Sequence, residues 1–168
     1  MTTLYAQPYG ISATGFYFQT YEEYLEKSGA LLNAYGQKVE EFEIQFIDGD
    51  LAELFNACRI DQSTLEIWFN TIESLSHNEQ LSLFYMRDNK LRDLEGALGM
   101  LDDVSISACS LKDAASELFD ECYLSEVPES VKPYIDYEAF ARDCELGGDM
   151  REFTYAGLSY TCTNANSF

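Results

Sequence analysis

The sequence predicts an α+β fold in which small units follow one another along an elongated chain. Two mixed regions, residues 1–60 and 104–168, combine short strand patterns with amphipathic helices. The region between them, residues 61–103, has helical patterns, the last over residues 92–101, and no convincing strand. We therefore expect three units: a mixed N-terminal unit, a helical middle unit and a mixed C-terminal unit.

Strand patterns and one capped helix predict the N-terminal unit. Residues 4–9 and 15–18 have the composition of short strands. Residues 39–47 are predicted to be a strand whose side chains alternate, with Phe42, Ile44 and Phe46 on one face and Glu41, Glu43 and Gln45 on the other. Thr20 begins a capping box, and Gly36 marks the expected end of the helix that follows. The predicted apolar face of this helix comprises Tyr21, Tyr24, Leu25, Leu31, Leu32 and Tyr35.

Helix caps and a hairpin predict the C-terminal unit. Ser110 is a helix N-cap, and residues 127–149 contain a second helix that Gly147-Gly148 ends. Residues 153–162 have the pattern of a hairpin. The polar residues 163–168 are expected to be loose.

The helix within residues 127–149 has an apolar stripe edged with carboxylates. Helical spacing places on that stripe Tyr137, Phe140, Ala141 and Cys144. The carboxylates that flank it are Asp136, Asp143, Glu138 and Glu145. Arg142 is the only cation of the helix. The sequence therefore predicts an acidic surface on either side of a packed face.

The composition is strongly acidic along the whole chain. The 168 residues include 30 Asp and Glu against 10 Lys and Arg, a net charge of −20, and the three predicted units carry −6, −6 and −8. Because 46% of the residues are hydrophobic, the chain can still bury a core. Solubility and salt adaptation are two interpretations of this charge. Repulsion among so many carboxylates costs stability, which favours a third: imitation of a nucleic acid.

The spacing of the acids is compatible with such imitation. Side chains two apart on a strand, or four apart on a helix, lie roughly 6–7 Å apart, the order of phosphate separations along a nucleic-acid strand. A dimer carrying twice −20 matches about 70 Å of duplex, roughly 20 bp, at one charge per ~1.7 Å. The candidate acids are Glu22, Glu23, Glu26, Glu41, Glu43, Glu66, Glu73, Asp120, Glu121, Asp136, Glu138, Asp143 and Glu145.

Catalytic and metal chemistry have little support in the sequence. His77, the only histidine, is expected at a helix N-terminus, and no nucleophile elbow accompanies it. Five scattered cysteines lack zinc spacing and are expected to be free and mostly buried. Asp48-Gly49-Asp50 lacks the ligand pattern of a calcium loop. We therefore predict a protein that is not an enzyme and that uses no catalytic residue, metal or cofactor.

Two further features concern location. No apolar run approaches the ~18 residues of a membrane helix. The N-terminus lacks the basic region and apolar core of a signal peptide. We therefore expect a cytoplasmic protein that binds no membrane.

One segment carries a resemblance to a known family. It consists of Tyr134-Ile135-Asp136-Tyr137-Glu138, followed by Ala141-Arg142-Asp143 and Gly148-Asp149. This pattern resembles the C-terminal signature of the ArdA antirestriction proteins. Residues 4–9 and 39–49 are also similar to an ArdA-like branch, although the opening strand differs from that of better-known members.

The resemblance implies both a function and an assembly. ArdA proteins are acidic DNA mimics, typically encoded by mobile elements. They inhibit type I restriction–modification enzymes by occupying the DNA groove of the specificity–methyltransferase core. The family forms a curved homodimer and binds no nucleic acid directly. Its dimer contacts lie in the C-terminal unit, which implies this role for Tyr134, Ile135, Asp136, Tyr137, Glu138 and Arg142. Helix entry and core packing are the alternative role for Tyr134, Asp136, Tyr137 and Glu138, and this role is equally consistent for Tyr137.

Two other classes of function stay open on the sequence alone. One is an acidic adaptor or inhibitor that binds another basic DNA-binding protein. The other is a hydrolase that uses two carboxylates, which would need a deep pocket where two acids meet.

Overall fold

A computed structural model describes residues 2–168, which form seven α-helices and six β-strands in two antiparallel sheets. The chain divides into two compact units, of which the first ends at Gln80 and the second runs from Leu81 to Phe168. The predicted α+β class is confirmed. The finer division into three units stays a prediction.

A three-stranded sheet forms the base of the first unit. Its strands, in the order β2-β1-β3, are β1 (Thr3–Pro8), β2 (Phe16–Phe18) and β3 (Phe42–Asp48). Both outer strands pair antiparallel with β1, and Ala6 lies opposite Ile44 in the register. Leu4, Ala6, Phe42 and Ile44 are buried, because alternate side chains of a strand point to one face. The strand predicted over residues 39–47 is therefore confirmed from Phe42 onward, whereas residues 39–41 lie outside it.

Three helices lie within this unit, and a fourth begins in it and continues into the second unit. They are α1 (Tyr21–Ala30), α2 (Ala52–Cys58), α3 (Leu65–Asn70) and α4 (His77–Asp88), with a 3₁₀ turn at Ile72–Ser74. Thr20 Oγ1 accepts the Glu23 N–H at 3.1 Å, as the capping box predicts. The Glu23 carboxylate accepts the N–H of Gln19 rather than that of Thr20, at 2.9 Å. Trp68 of α3 is fully buried, with its ring 5.1 Å from that of Phe55.

The prediction that α1 extends to Gly36 is wrong, since the helix ends at Ala30. Glycine is a poor helix former, and Gly29 lies in the last turn. The following residues form a short hairpin in which Leu32 pairs with Lys38, and Gly36, with φ of +75°, lies in its turn. The side chains wrongly assigned to the buried face are Leu25, Leu32 and Tyr35, all of which are exposed.

The second unit combines helices with a small sheet. Its helices after α4 are α5 (Leu94–Leu98), α6 (Leu111–Cys122) and α7 (Tyr137–Gly147). Its strands are β4 (Ile106–Ser107), β5 (Arg151–Tyr155) and β6 (Leu158–Cys162), in the order β4-β6-β5. Further 3₁₀ turns lie at Leu101–Asp103, Leu124–Glu126, Lys132–Tyr134 and Ala165–Ser167. The hairpin and the Ser110 cap are confirmed, the latter by a 3.2 Å bond from the Asp113 N–H.

Two predictions for the second unit are wrong. The helix expected over residues 92–101 covers only Leu94–Leu98, because Asp93 caps it through the N–H of Gly96. Residues 163–168 are anchored rather than loose. Asn164 accepts the Ser105 N–H at 2.9 Å and donates to the Asp103 carbonyl at 2.8 Å. The last residues therefore hold the start of β4 in place.

An aromatic cluster fills the core of the first unit around Tyr24. Its ring centroid lies 5.1 Å from that of Phe18 and about 6 Å from those of Phe16 and Phe42. Burial, together with the neighbouring Tyr21, raises the pKa of Tyr24 to about 12.

Tyr24 should make the stability of the protein fall at alkaline pH. The unfolded chain releases this proton near pH ~10, whereas the folded protein holds it to about 12. The stability that the neutral phenol contributes is therefore complete below pH ~10 and is lost as the pH rises through the folded pKa. Urea unfolding across this range should show a smaller decline for Tyr24→Phe than for the exposed control Tyr35→Phe. Equal declines would contradict the assignment.

Candidate functional site

The acidic residues lie where water reaches them. All 30 belong to the described residues, and none is buried. Of the 13 candidate acids, 11 are exposed, whereas Glu23 and Glu73 are half-buried. Removing an unpaired carboxylate from water is costly, so their exposure follows from the excess of acids over bases.

The negative charge is divided equally between the two compact units. Residues 1–80 contain 13 acids and three bases, and residues 81–168 contain 17 acids and seven bases, so each unit carries −10. Each unit therefore presents acidic surface by itself.

In the first unit, the candidate acids occupy a helix and the start of a strand. Glu22 and Glu26 are exposed one turn apart on α1. Glu41 immediately precedes β3, and Glu43 lies on it with its carboxylate 2.9 Å from the Gln45 amide nitrogen. Glu23 differs from these four, because it caps α1 and lies 3.6 Å from Lys27.

In the second unit, several candidate acids also hold α6 and α7 together. The Tyr137 hydroxyl donates to Asp120 at 2.5 Å, which raises the pKa of Tyr137. Lys112 donates to Glu138 at 2.7 Å, and this bond raises the pKa of the lysine. Asp136 caps α7 by accepting the N–H of Ala139. These three acids are therefore exposed to solvent and also hydrogen-bonded within the fold.

The signature segment lies partly in the packed face of α7 and partly outside it. Tyr137 is half-buried, whereas the Tyr134 side chain is 83% exposed. A depression of about 340 Å³ is lined by Lys112 and residues 133–138. Arg142 is exposed, 4.0 Å from Asp143.

The residues considered for catalysis occupy structural positions. His77 begins α4, as predicted. All five cysteines are free, and three of them are buried. Burial raises the pKa of the thiols of Cys109, Cys144 and Cys162, which lowers their reactivity as nucleophiles. No group of His, Cys, Asp and Glu within residues 2–168 is arranged to hold a metal ion.

One group of exposed side chains in the first unit was not predicted from the sequence. It consists of Tyr9, Ile11, Leu32 and Tyr35. The signal that marks it is the pair of turn formers Asn33 and Gly36, which favour a turn after residue 30 although the apolar spacing remains helical.

A comparison with known families then assigns the chain. The family model described as Antirestriction protein (ArdA) matches residues 11–157, which are 147 of the 168 residues. The chain belongs to the ArdA antirestriction family. ArdA proteins are inhibitors directed against type I restriction enzymes. The match extends through both compact units and includes the signature segment of this ArdA protein.

Two further findings complete the comparison. No curated protein matches the sequence of this ArdA protein. None of the helices in residues 2–168 is both long and apolar enough to cross a bilayer.

The bond between Tyr137 and Asp120 is testable by titration. Replacing the charged acceptor in Asp120→Asn should lower the pKa of Tyr137 toward its ordinary value, because the anion no longer favours the protonated phenol. Ultraviolet difference absorbance of tyrosinate against pH measures this shift. The neighbouring Glu121→Gln serves as the control and should leave the titration unchanged. An unaltered titration in Asp120→Asn would show that the bond is absent in solution.

Proposed function

We propose that this ArdA protein is a DNA mimic that inhibits type I restriction–modification enzymes. Its exposed carboxylates would occupy the DNA groove of the specificity–methyltransferase core. The observation that carries the proposal is that all 30 acids lie outside the buried core, with −10 on each unit. Such a surface attracts a basic groove and repels DNA itself.

The proposed binding rests on many weak contacts. An exposed ion pair contributes about 0–1 kcal/mol, so no single carboxylate dominates. The acids best suited to the groove are exposed ones that neither cap a helix nor join two helices, such as Glu22, Glu26 and Glu41. Electrostatic attraction between exposed charges is screened by salt, so inhibition should weaken as ionic strength rises.

The two other classes make different demands on the carboxylates. A hydrolase needs a general acid with a raised pKa. Hydrogen bonds from Ser63 and Ser76 instead lower the pKa of Asp61 and Glu79, respectively. An acidic adaptor needs only a basic partner, which makes it the alternative that the competition experiment below must separate from a type I inhibitor.

We also propose that the protein forms a homodimer through the signature segment. Like charge opposes self-association of a chain with −20. Residues 131–142 are an exception, since they contain two acids and two bases and are neutral. The exposed ring of Tyr134 adds apolar area beside them. This segment is therefore a favourable place for two copies to meet.

Competition for a restriction enzyme tests the proposed function. A fluorescent duplex bound to a purified type I methyltransferase core is titrated with the protein at several salt concentrations. We expect displacement of the duplex, with an inhibitory concentration that rises steeply with salt. If no duplex is displaced at micromolar protein and low salt, type I inhibition by mimicry is wrong. Displacement from an unrelated basic DNA-binding protein under the same conditions would then favour the adaptor.

The same assay tests whether displacement depends on the charge of the carboxylates or on the length of their side chains. In that assay, Glu22→Gln/Glu26→Gln should weaken displacement by a few-fold and reduce its salt dependence, because each lost pair contributes about 0–1 kcal/mol. The control Glu22→Asp/Glu26→Asp keeps both charges and should behave like the wild type. Loss of all inhibition in the Gln variant would contradict a shared, many-contact surface.

Sedimentation tests the proposed dimer. Tyr134→Ser removes an exposed ring from the neutral segment and should shift the protein from dimer toward monomer at micromolar concentration. Leu158→Ser removes an exposed apolar side chain outside that segment and should not. A wild-type protein that sediments as a monomer would refute the dimer while leaving the inhibition assay to decide the function.

A further inference from the structure

Exposed apolar side chains are grouped on two loops of the first unit. We call these loops, residues 9–13 and 31–41, the apolar lobe. Its large exposed side chains are Tyr9 (69%), Ile11 (fully exposed), Leu32 (56%) and Tyr35 (81%). Apolar side chains grouped in this way are typical of a binding surface.

Backbone hydrogen bonds join the two loops into one surface. The Ala34 N–H donates to the Ser12 carbonyl at 2.8 Å, and the Tyr9 N–H donates to the Glu41 carbonyl at 3.3 Å. A depression of about 290 Å³ takes its lining from both loops. The loop that carries Tyr9 and Ile11 is therefore joined to the loop that carries Leu32 and Tyr35.

The turn that presents Tyr35 is already ordered. Asn33 Oδ1 accepts the N–H groups of both Tyr35 and Gln37 at 2.9 Å. The Asn33 N–H in turn donates to the Gln37 carbonyl at 2.8 Å. Little backbone entropy remains to be lost when a partner contacts the ring, which favours binding.

The chemistry of the lobe selects a cationic partner. Glu40 and Glu41 line the depression together with one cation, Lys38. Carboxylates bind Arg and Lys, and the faces of exposed tyrosine rings attract the same groups. A second copy of the chain would instead bring the same pair of glutamates and another −10. The charge therefore favours a basic protein surface over self-association.

We propose that the apolar lobe is a docking surface for the basic DNA groove of the type I methyltransferase core. Tyr9 and Tyr35 would receive Arg or Lys side chains, and Ile11 and Leu32 would bury the alkyl stems of those side chains. The proposal rests on the proposed function and adds to it the burial of alkyl stems against apolar side chains, a contribution that salt screens much less than it screens ion pairs. The inhibitor would therefore bind by apolar contact as well as by its negative charge.

The experiment uses the full chain in the duplex-displacement assay with the purified methyltransferase core, over a series of salt concentrations. In Ile11→Ser/Tyr35→Ser, the half-displacing concentration should rise about tenfold at every salt, because interface tyrosines contribute strongly to binding. The slope of this concentration against salt should stay that of the wild type. The matched control Leu146→Ser alters an exposed aliphatic side chain of α7 and should change neither quantity. Tyr9→Ser, on the same loop as Ile11, should weaken displacement by itself.

Three results would overturn the inference, and each has a distinct meaning. Wild-type displacement by both lobe variants would remove the docking surface while leaving the proposed function intact. Failure of the wild-type protein to displace duplex would refute the proposed function and the inference with it. Conversion of a sedimenting dimer to monomer by Ile11→Ser/Tyr35→Ser would assign the lobe to contacts between two copies. Circular dichroism and urea unfolding establish that each variant is folded.

Discussion

The free-energy cost of burying an unpaired carboxylate is the constraint on which both units depend. With three acids for every base, most carboxylates find no cation and stay in water. The small core of each unit is filled by aromatic side chains, each of which buries a large apolar area. Tyr24 and Phe18 do so in the first unit, and Phe84 and Tyr155, with ring centroids 4.7 Å apart, do so in the second. The acidic surface and the aromatic cores are therefore two consequences of the same constraint.

The acids of this ArdA protein differ in what else they do. Glu22 and Glu26 only extend from α1, whereas Asp120 and Asp136 position and cap α7. Replacing an acid of the first kind mainly changes the surface charge. The second kind is tied to its hydrogen-bond partner. Among the signature acids, Asp136 and Glu138 are of the second kind, whereas Asp143 is exposed and lies 4.0 Å from Arg142.

Local interactions made much of the fold predictable. The caps at Thr20 and Ser110 and the alternation through Phe42 and Ile44 involve neighbours in sequence, so they can be recognised without a structure. The end of α1 was not predictable from periodicity, since Leu32 and Tyr35 continue the helical pattern. The side chain of Asn33 overrides that pattern by ordering a turn. The exposure of the site acids followed from composition, but the bond between Tyr137 and Asp120 depends on how α6 and α7 pack.

The anchoring of the last residues has a consequence for synthesis. Asn164 bonds to Asp103 and Ser105, so β4 is secured only when a segment about 60 residues later has emerged from the ribosome. The sheet of the first unit, by contrast, is formed by residues 3–48 alone and leaves the ribosome much earlier. The contacts that hold β4 therefore form later in synthesis than those of the first sheet.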